Sequence, residues 1–170
     1  MMWYPPRPTT ILQQGINPKE WLIQPKYRGW RVVINNDECF TRKGNLIDID
    51  VSYPKLDFNY QLDGEIISTE FQTEHKVRRA IKNGTWKIKI FDIFIPDKPN
   101  LILVDRLKIL DVLFNIKVEI IPFNNADEIF SILKRMQDLG YEGIVIKRKD
   151  GIYKTSQLGE IVDNNWIKLK

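Results

Sequence analysis

One cysteine, Cys39, and one histidine, His75, stand in these 170 residues. A lone cysteine excludes an internal disulfide framework, and without a cluster of sulfur and imidazole ligands a structural zinc site is excluded as well. No apolar run approaches the roughly 18 to 20 residues of a membrane-crossing helix, and the stretch from Met1 to Pro8 lacks the apolar segment of a secretory leader. The chain is therefore expected to be soluble, to touch no membrane and to work in the cytoplasm, that of a host cell if its source is viral. Internal repeats, low-complexity tracts and linker-like segments are also missing, which predicts a single domain over residues 1–170. A monomer is expected, although no feature of the sequence specifies the oligomeric state.

What is present suffices for one ordinary core, since 43% of the residues are hydrophobic. A net charge of +4 and an isoelectric point near 9.1 suit a polyanionic partner without requiring one. Asn17-Pro18-Lys19-Glu20 reads as a single helical turn. Trp30 to Ile34 and Glu38 to Arg42 flank the turn-rich Asn35-Asn36-Asp37 as a hairpin closed by Lys43-Gly44-Asn45. Tyr60 to Ile67 reads as a strand interrupted at Asp63-Gly64, Val77 to Lys82 as a helix, and Trp86 to Phe94 as a strand stopped by Pro96. Val104, Leu107, Leu110, Leu113 and Phe114 have helical spacing. So do Ile129, Leu133 and Met136, between a capping start at Asn125 and Glu128 and a stop at Gly140. Gly143 to Lys147 and Trp166 to Lys170 are the last predicted strands. These elements predict an α+β fold with largely antiparallel sheets and packed helices.

Taken singly, the short motifs have ordinary readings as turns, core positions or edge-strand lysines. Their joint order is more specific: Lys-Tyr-x-Gly-x-Arg from Lys26, Thr-Arg-x-Gly from Thr41, Asp-Gly-Glu ending at Glu65, Phe91-Asp92, Glu-Gly-x-Val-x-Lys from Glu142 to Lys147, and Lys168-x-Lys170. In this order they resemble the covalent nucleotidyltransferase superfamily of ATP-dependent DNA ligases, RNA ligases and mRNA capping enzymes, most of all the adenylation domain of the DNA ligases. The resemblance implies the nucleotidyltransferase (ATP-grasp-like) fold and a lysine, Lys26, that becomes covalently attached to AMP from ATP and passes it to a 5′-phosphate at a nick in duplex DNA.

Such chemistry suits these residue types. A lysine amine must be neutral to attack an α-phosphate, so neighbouring cations and burial both assist it. The resemblance assigns the nucleotide to Gln24, Lys26, Arg31, Glu65, Phe91, Lys147, Lys168 and Lys170, with Phe91 stacked on adenine. It assigns Mg²⁺ to Glu65 and Glu142, and nucleic-acid contacts to Arg28, Arg42, Lys43 and Arg106, with Arg42 directed at the nick's 5′-phosphate. Two features depart from the pattern. Arg28 stands where the family's core motif has aspartate, and the sequence stops at Lys170, after the last adenylation motif and without an OB-fold, as either a piece of a longer parent chain that carries one or a naturally minimal protein. RNA ligase, capping-type guanylyltransferase and a catalytically degenerate module that binds nucleic-acid ends are the alternatives, with DNA against RNA and ATP against GTP left open.

Overall fold

The computed structural model describes residues 3–13, 15–35, 37–70 and 74–170. Asn36 of the predicted hairpin turn, and Met1 and Met2 of the N-terminal stretch, lie outside the described residues. The strands are β1 (Arg7–Thr9), β2 (Trp21–Lys26), β3 (Trp30–Asn35), β4 (Glu38–Thr41), β5 (Leu46–Ile47), β6 (Gln61–Ser68), β7 (Trp86–Phe94), β8 (Gly143–Arg148) and β9 (Val162–Leu169). The helices are α1 (Val77–Asn83), α2 (Leu103–Phe114) and α3 (Ile129–Asp138). Two sheets result: one of order β1-β9-β8-β2 and one of order β5-β4-β3-β6-β7. Pairing is antiparallel throughout except between β1 and β9, which run parallel. The α+β architecture expected from the sequence is the one observed.

Each sheet buries one face. Val32, Ile34, Leu62, Ile66 and Ile93 of the five-stranded sheet pack against Val77 of α1 and Leu110 and Phe114 of α2. Ile23, Ile144, Ile146 and Ile167 of the other sheet pack against Ile129, Ile132 and Met136 of α3. Beneath the junction of the sheets sits a third, aromatic cluster of Phe94, Tyr153 and Trp166, with Trp3 and Phe91 against it. Alternation along a strand divides these roles: Ile144 and Ile146 face α3, while Val145 and Lys147 turn to the cleft between the sheets.

Three local outcomes refine the sequence reading. Asp63-Gly64 does not interrupt β6, which runs unbroken through it. The irregularity lies in the partner strand, where Asp63 pairs with Asp92 and Gly64 with Ile90, leaving Phe91 as the extra residue of a bulge. In α2 the inward residues are Leu103, Arg106, Leu110 and Phe114, whereas Val104 and Leu113 are exposed, so the helix is rotated from the apolar face expected. Strand β9 starts at Val162, four residues before the predicted Trp166. The 17–20 turn forms as expected, with the Asn17 side chain accepting from the Lys19 and Glu20 amides. Asn125 caps a 3-10 turn ahead of α3, and Glu128 accepts from Asn124, so the reciprocal capping box does not close.

Candidate active site

The two sheets enclose an open cleft of about 770 Å³, within the size range of small-molecule and cofactor pockets. Strand register brings three of its charged groups together. Lys26 ends β2 opposite Gly143, and Leu169 of β9 pairs with Ile144, so the ends of β2 and β9 and the entry to β8 meet at one edge of the sheet. Glu142 stands at that entry, its backbone amide donating to the Lys26 carbonyl at 2.8 Å. Its carboxylate accepts from Lys26 Nζ through Oε2 and from Lys170 Nζ at 2.8 Å through Oε1. Gly143 is required here because a Cβ would lie 2.0 Å from the Leu169 carbonyl oxygen.

From the other sheet, β6 contributes Glu65, and Gly29 allows the close approach. A Cβ on Gly29 would meet the Ile66 carbonyl oxygen at 2.1 Å. Burial pushes the Glu65 carboxyl up to about 7, with Lys26 and Arg31 acting against the rise. Burial also pushes Glu142 upward, but hydrogen bonds from Lys170 and Lys26 outweigh it and hold that carboxyl below the usual range. The two acids thus differ in character: one is ionised and doubly paired, the other sits near half-protonation at neutral pH. Burial, reinforced by Lys26 and Lys170, lowers the Lys168 ammonium.

The far wall is aromatic and amide. The bulge aims Phe91 at the cleft, and Gln24 Nε2 donates to the Phe91 carbonyl at 3.4 Å, so what the amide offers the cleft is its oxygen. Trp166 and Lys168 share one face of β9, Lys170 follows just beyond the strand's end, and all three line the cleft.

Residues 8–170 match the family described as the ATP dependent DNA ligase domain. The chain belongs to that family. A DNA ligase of Haemophilus influenzae is 21% identical over 84% of this chain and 56% of its own length, so the chain spans about half of that relative. Among solved structures, one from a study of DNA binding with a minimal scaffold in Lig E DNA ligases superposes with a TM-score of 0.74 at 20% identity, over 100% of this chain and 69% of that one. The Chlorella virus DNA ligase-adenylate superposes with a TM-score of 0.69 at 20% identity, over 98% and 68% of the two chains.

In this ligase domain most of the residues singled out from the sequence converge. Gln24, Lys26, Arg31, Glu65, Phe91, Glu142, Lys147, Lys168 and Lys170 all border the cleft, as do Arg42 and Lys43 at its rim. Arg42 and Lys43 are held in a tight loop closed by Gly44, whose φ of +85° and amide bond to the Thr41 carbonyl turn the chain. Arg31 is a wall rather than a free hand: Nε and Nη2 grip Asp63 at 3.0 and 2.6 Å, and Asp63 also accepts from Tyr153. Lys147 is buried, 3.6 Å from Asp92 and 3.6 Å from the Trp166 ring centre. Burial lowers its pKa to about 8 against the opposing pull of Asp92. Arg28 is exposed and outside the cleft lining.

Arg106 requires correction. The sequence placed it among the nucleic-acid contacts, yet it is 1% exposed, deep under the cleft. Nε and Nη2 clamp Asp92 at 2.7 and 3.1 Å, while Nη1 donates to the Leu101 and Gly151 carbonyls. No surface remains to meet a phosphate. Trp166 and Arg78, also in the cleft lining, escaped the sequence reading. The period-two face it shares with Lys168 and Lys170 was the available signal for Trp166; nothing in the sequence pointed to Arg78.

Proposed function

We propose that this chain is the adenylation domain of a DNA ligase, in which Lys26 takes AMP from ATP and passes it to the 5′-phosphate of a nick, where the 3′-hydroxyl then displaces AMP. The observation that carries this reading is the meeting of Lys26, Glu142 and Lys170 with Glu65 in a cofactor-sized cleft. Lys26 must lose a proton before its nitrogen can bond to phosphorus, and the bond from phosphorus to pyrophosphate then breaks. Lys168 and Lys170 offset charge growing on the α-phosphate oxygens. Phe91 offers a face for the adenine, and the Gln24 oxygen an acceptor for its amino group.

Among the described residues no group of three or more His, Cys, Asp or Glu side chains is set to hold a metal ion. Two carboxylates, Glu65 and Glu142, fit the way Mg²⁺ is commonly held, by one or two acids with the substrate phosphates and water completing the shell. When bound there, Mg²⁺ supplies neutralisation of phosphate charge. Arg42 and Lys43 are assigned to the nucleic-acid backbone, and an OB-fold domain in a longer parent chain to the far side of the duplex. The domain acts as a monomer in the cytoplasm.

The test is incubation with α-labelled ATP or GTP and Mg²⁺, followed by denaturing electrophoresis. Label should enter from ATP, and Lys26→Ala should abolish it. Equal labelling of the alanine variant would overturn the nucleophile, and labelling from GTP alone would overturn the adenylation reading.

A further inference from the structure

Arg7, outside the motifs, and Arg42, within one of them, converge on a single carboxylate. Arg7 of β1 and Arg42 of the 41–44 loop lie far apart in sequence, yet Arg7 Nε is 3.9 Å from Glu160 Oε2 and Arg42 Nε 3.5 Å from Glu160 Oε1. The backbone fixes this meeting: the Arg7 amide donates to the Ile161 carbonyl at 2.7 Å, and the Arg42 amide to the Arg31 carbonyl at 3.2 Å. Both guanidiniums also bear on Lys168 in the cleft, where they help to lower its ammonium. Two guanidiniums from separate segments therefore meet at one carboxylate, and one of them, Arg42, also lines the cleft.

That carboxylate is poorly satisfied. Glu160 Oε1 is buried without a hydrogen-bond partner, and both ion pairs are long and half-exposed, a kind worth little in water. A phosphate monoester, with three acceptor oxygens and nearly two charges, would engage the same cations better than a single carboxylate. We propose that Arg7 and Arg42 together form the site for the terminal 5′-phosphate of a nicked strand, and that Glu160 is a stand-in anion which the phosphate must displace. This rests on the ligase reading and adds to it a second phosphate-binding arginine and an internal competitor that favours a terminal phosphate over an end without one.

The test measures binding of the full chain to nicked duplexes carrying a 5′-phosphate or a 5′-hydroxyl, by fluorescence anisotropy, with ATP binding and lysyl-adenylate formation measured separately. Arg7→Ala should weaken the 5′-phosphate duplex about 10-fold and the 5′-hydroxyl duplex little, because one charge-assisted contact is lost. Glu160→Gln should tighten the 5′-phosphate duplex several-fold, a gain that a folding defect cannot produce. Equal losses on both duplexes in Arg7→Ala, no gain in Glu160→Gln, no phosphate preference in the parent chain, or an Arg7→Ala loss confined to ATP would each overturn the proposal. Adenylate formation on Lys26 in the same samples separates these outcomes from failure of the ligase reading, which would abolish the adenylate itself.

Discussion

Because burial lifts the Glu65 carboxyl to about 7, the folded chain retains a proton there that an unfolded chain has already lost. Folded and unfolded states therefore differ in bound protons between about pH 4.5 and 7, and this group's contribution to stability falls as pH rises through that window. Glu65→Gln cannot ionise, so denaturant melts should show it gaining on the parent from pH 5 to pH 8, by about 3 kcal/mol at most, while losing most adenylation. An unchanged difference across that range would show that Glu65 titrates normally. Asp92 behaves oppositely, since its charge is matched by Arg106 and Lys147. Arg106→Met should cost about 3 to 5 kcal/mol by leaving that carboxylate buried with a weaker partner, and should leave the salt dependence of DNA binding unaltered. A fall in that salt slope would restore Arg106 to the nucleic-acid surface. Arg28→Asp, on an exposed side chain outside the cleft, should keep adenylation and weaken DNA binding at low salt, as filter binding would register. Residue types singled out most of the charged cleft lining because few combinations of lysine, glycine and acid recur in this order. Arg106 misled because a basic residue near a motif reads as a phosphate ligand until its burial is known.

At the scale of strands and helices, glycine carries much of what the motifs encode. Gly29 and Gly143 are the places where one backbone passes against another, and no side chain fits in the gap. Gly143→Ala should therefore open the pairing of β8 with β9 and draw Lys170 away from Glu142, costing about 1 to 3 kcal/mol in a thermal or denaturant melt and slowing adenylation beyond that loss. Unaltered melting and adenylation would show that the close approach relaxes freely. Period-two runs such as Trp86 to Phe94 located their strands well, because alternation on a half-buried sheet is a local property. The bulge at Phe91 was not legible, since it depends on which strand lies beside β7. The rotation of α2 was not legible either: its inward face carries an arginine that enters the core only because Asp92 is waiting there, and a pattern of apolar residues cannot register such a pair.

For the molecule as a whole, the cleft draws its walls from both sheets, so a ligand that fills it should stabilise them together. ATP with Mg²⁺ at 100 times its dissociation constant should add about 2.7 kcal/mol to the unfolding free energy in one cooperative transition, and chelating the metal should shrink that gain. Two separate transitions, with a shift in only one, would contradict a cleft shared by both sheets. The sequence indicated the fold class through its run of short strands and most of the cleft-lining residues through its motifs, but not the partition into two sheets, because β1 and β9 find each other across most of the chain. That pairing has a consequence for synthesis. Strands β3 to β7 are near neighbours in sequence and can pair as they emerge, whereas the sheet holding Lys26 needs β8 and β9, so it closes only after β9 has been made. A nascent chain therefore carries Lys26 from the start yet has neither Glu142 nor Lys170 beside it. The adenylation proposed for Lys26 should therefore become possible abruptly, once β9 has paired, rather than grow as the ribosome advances.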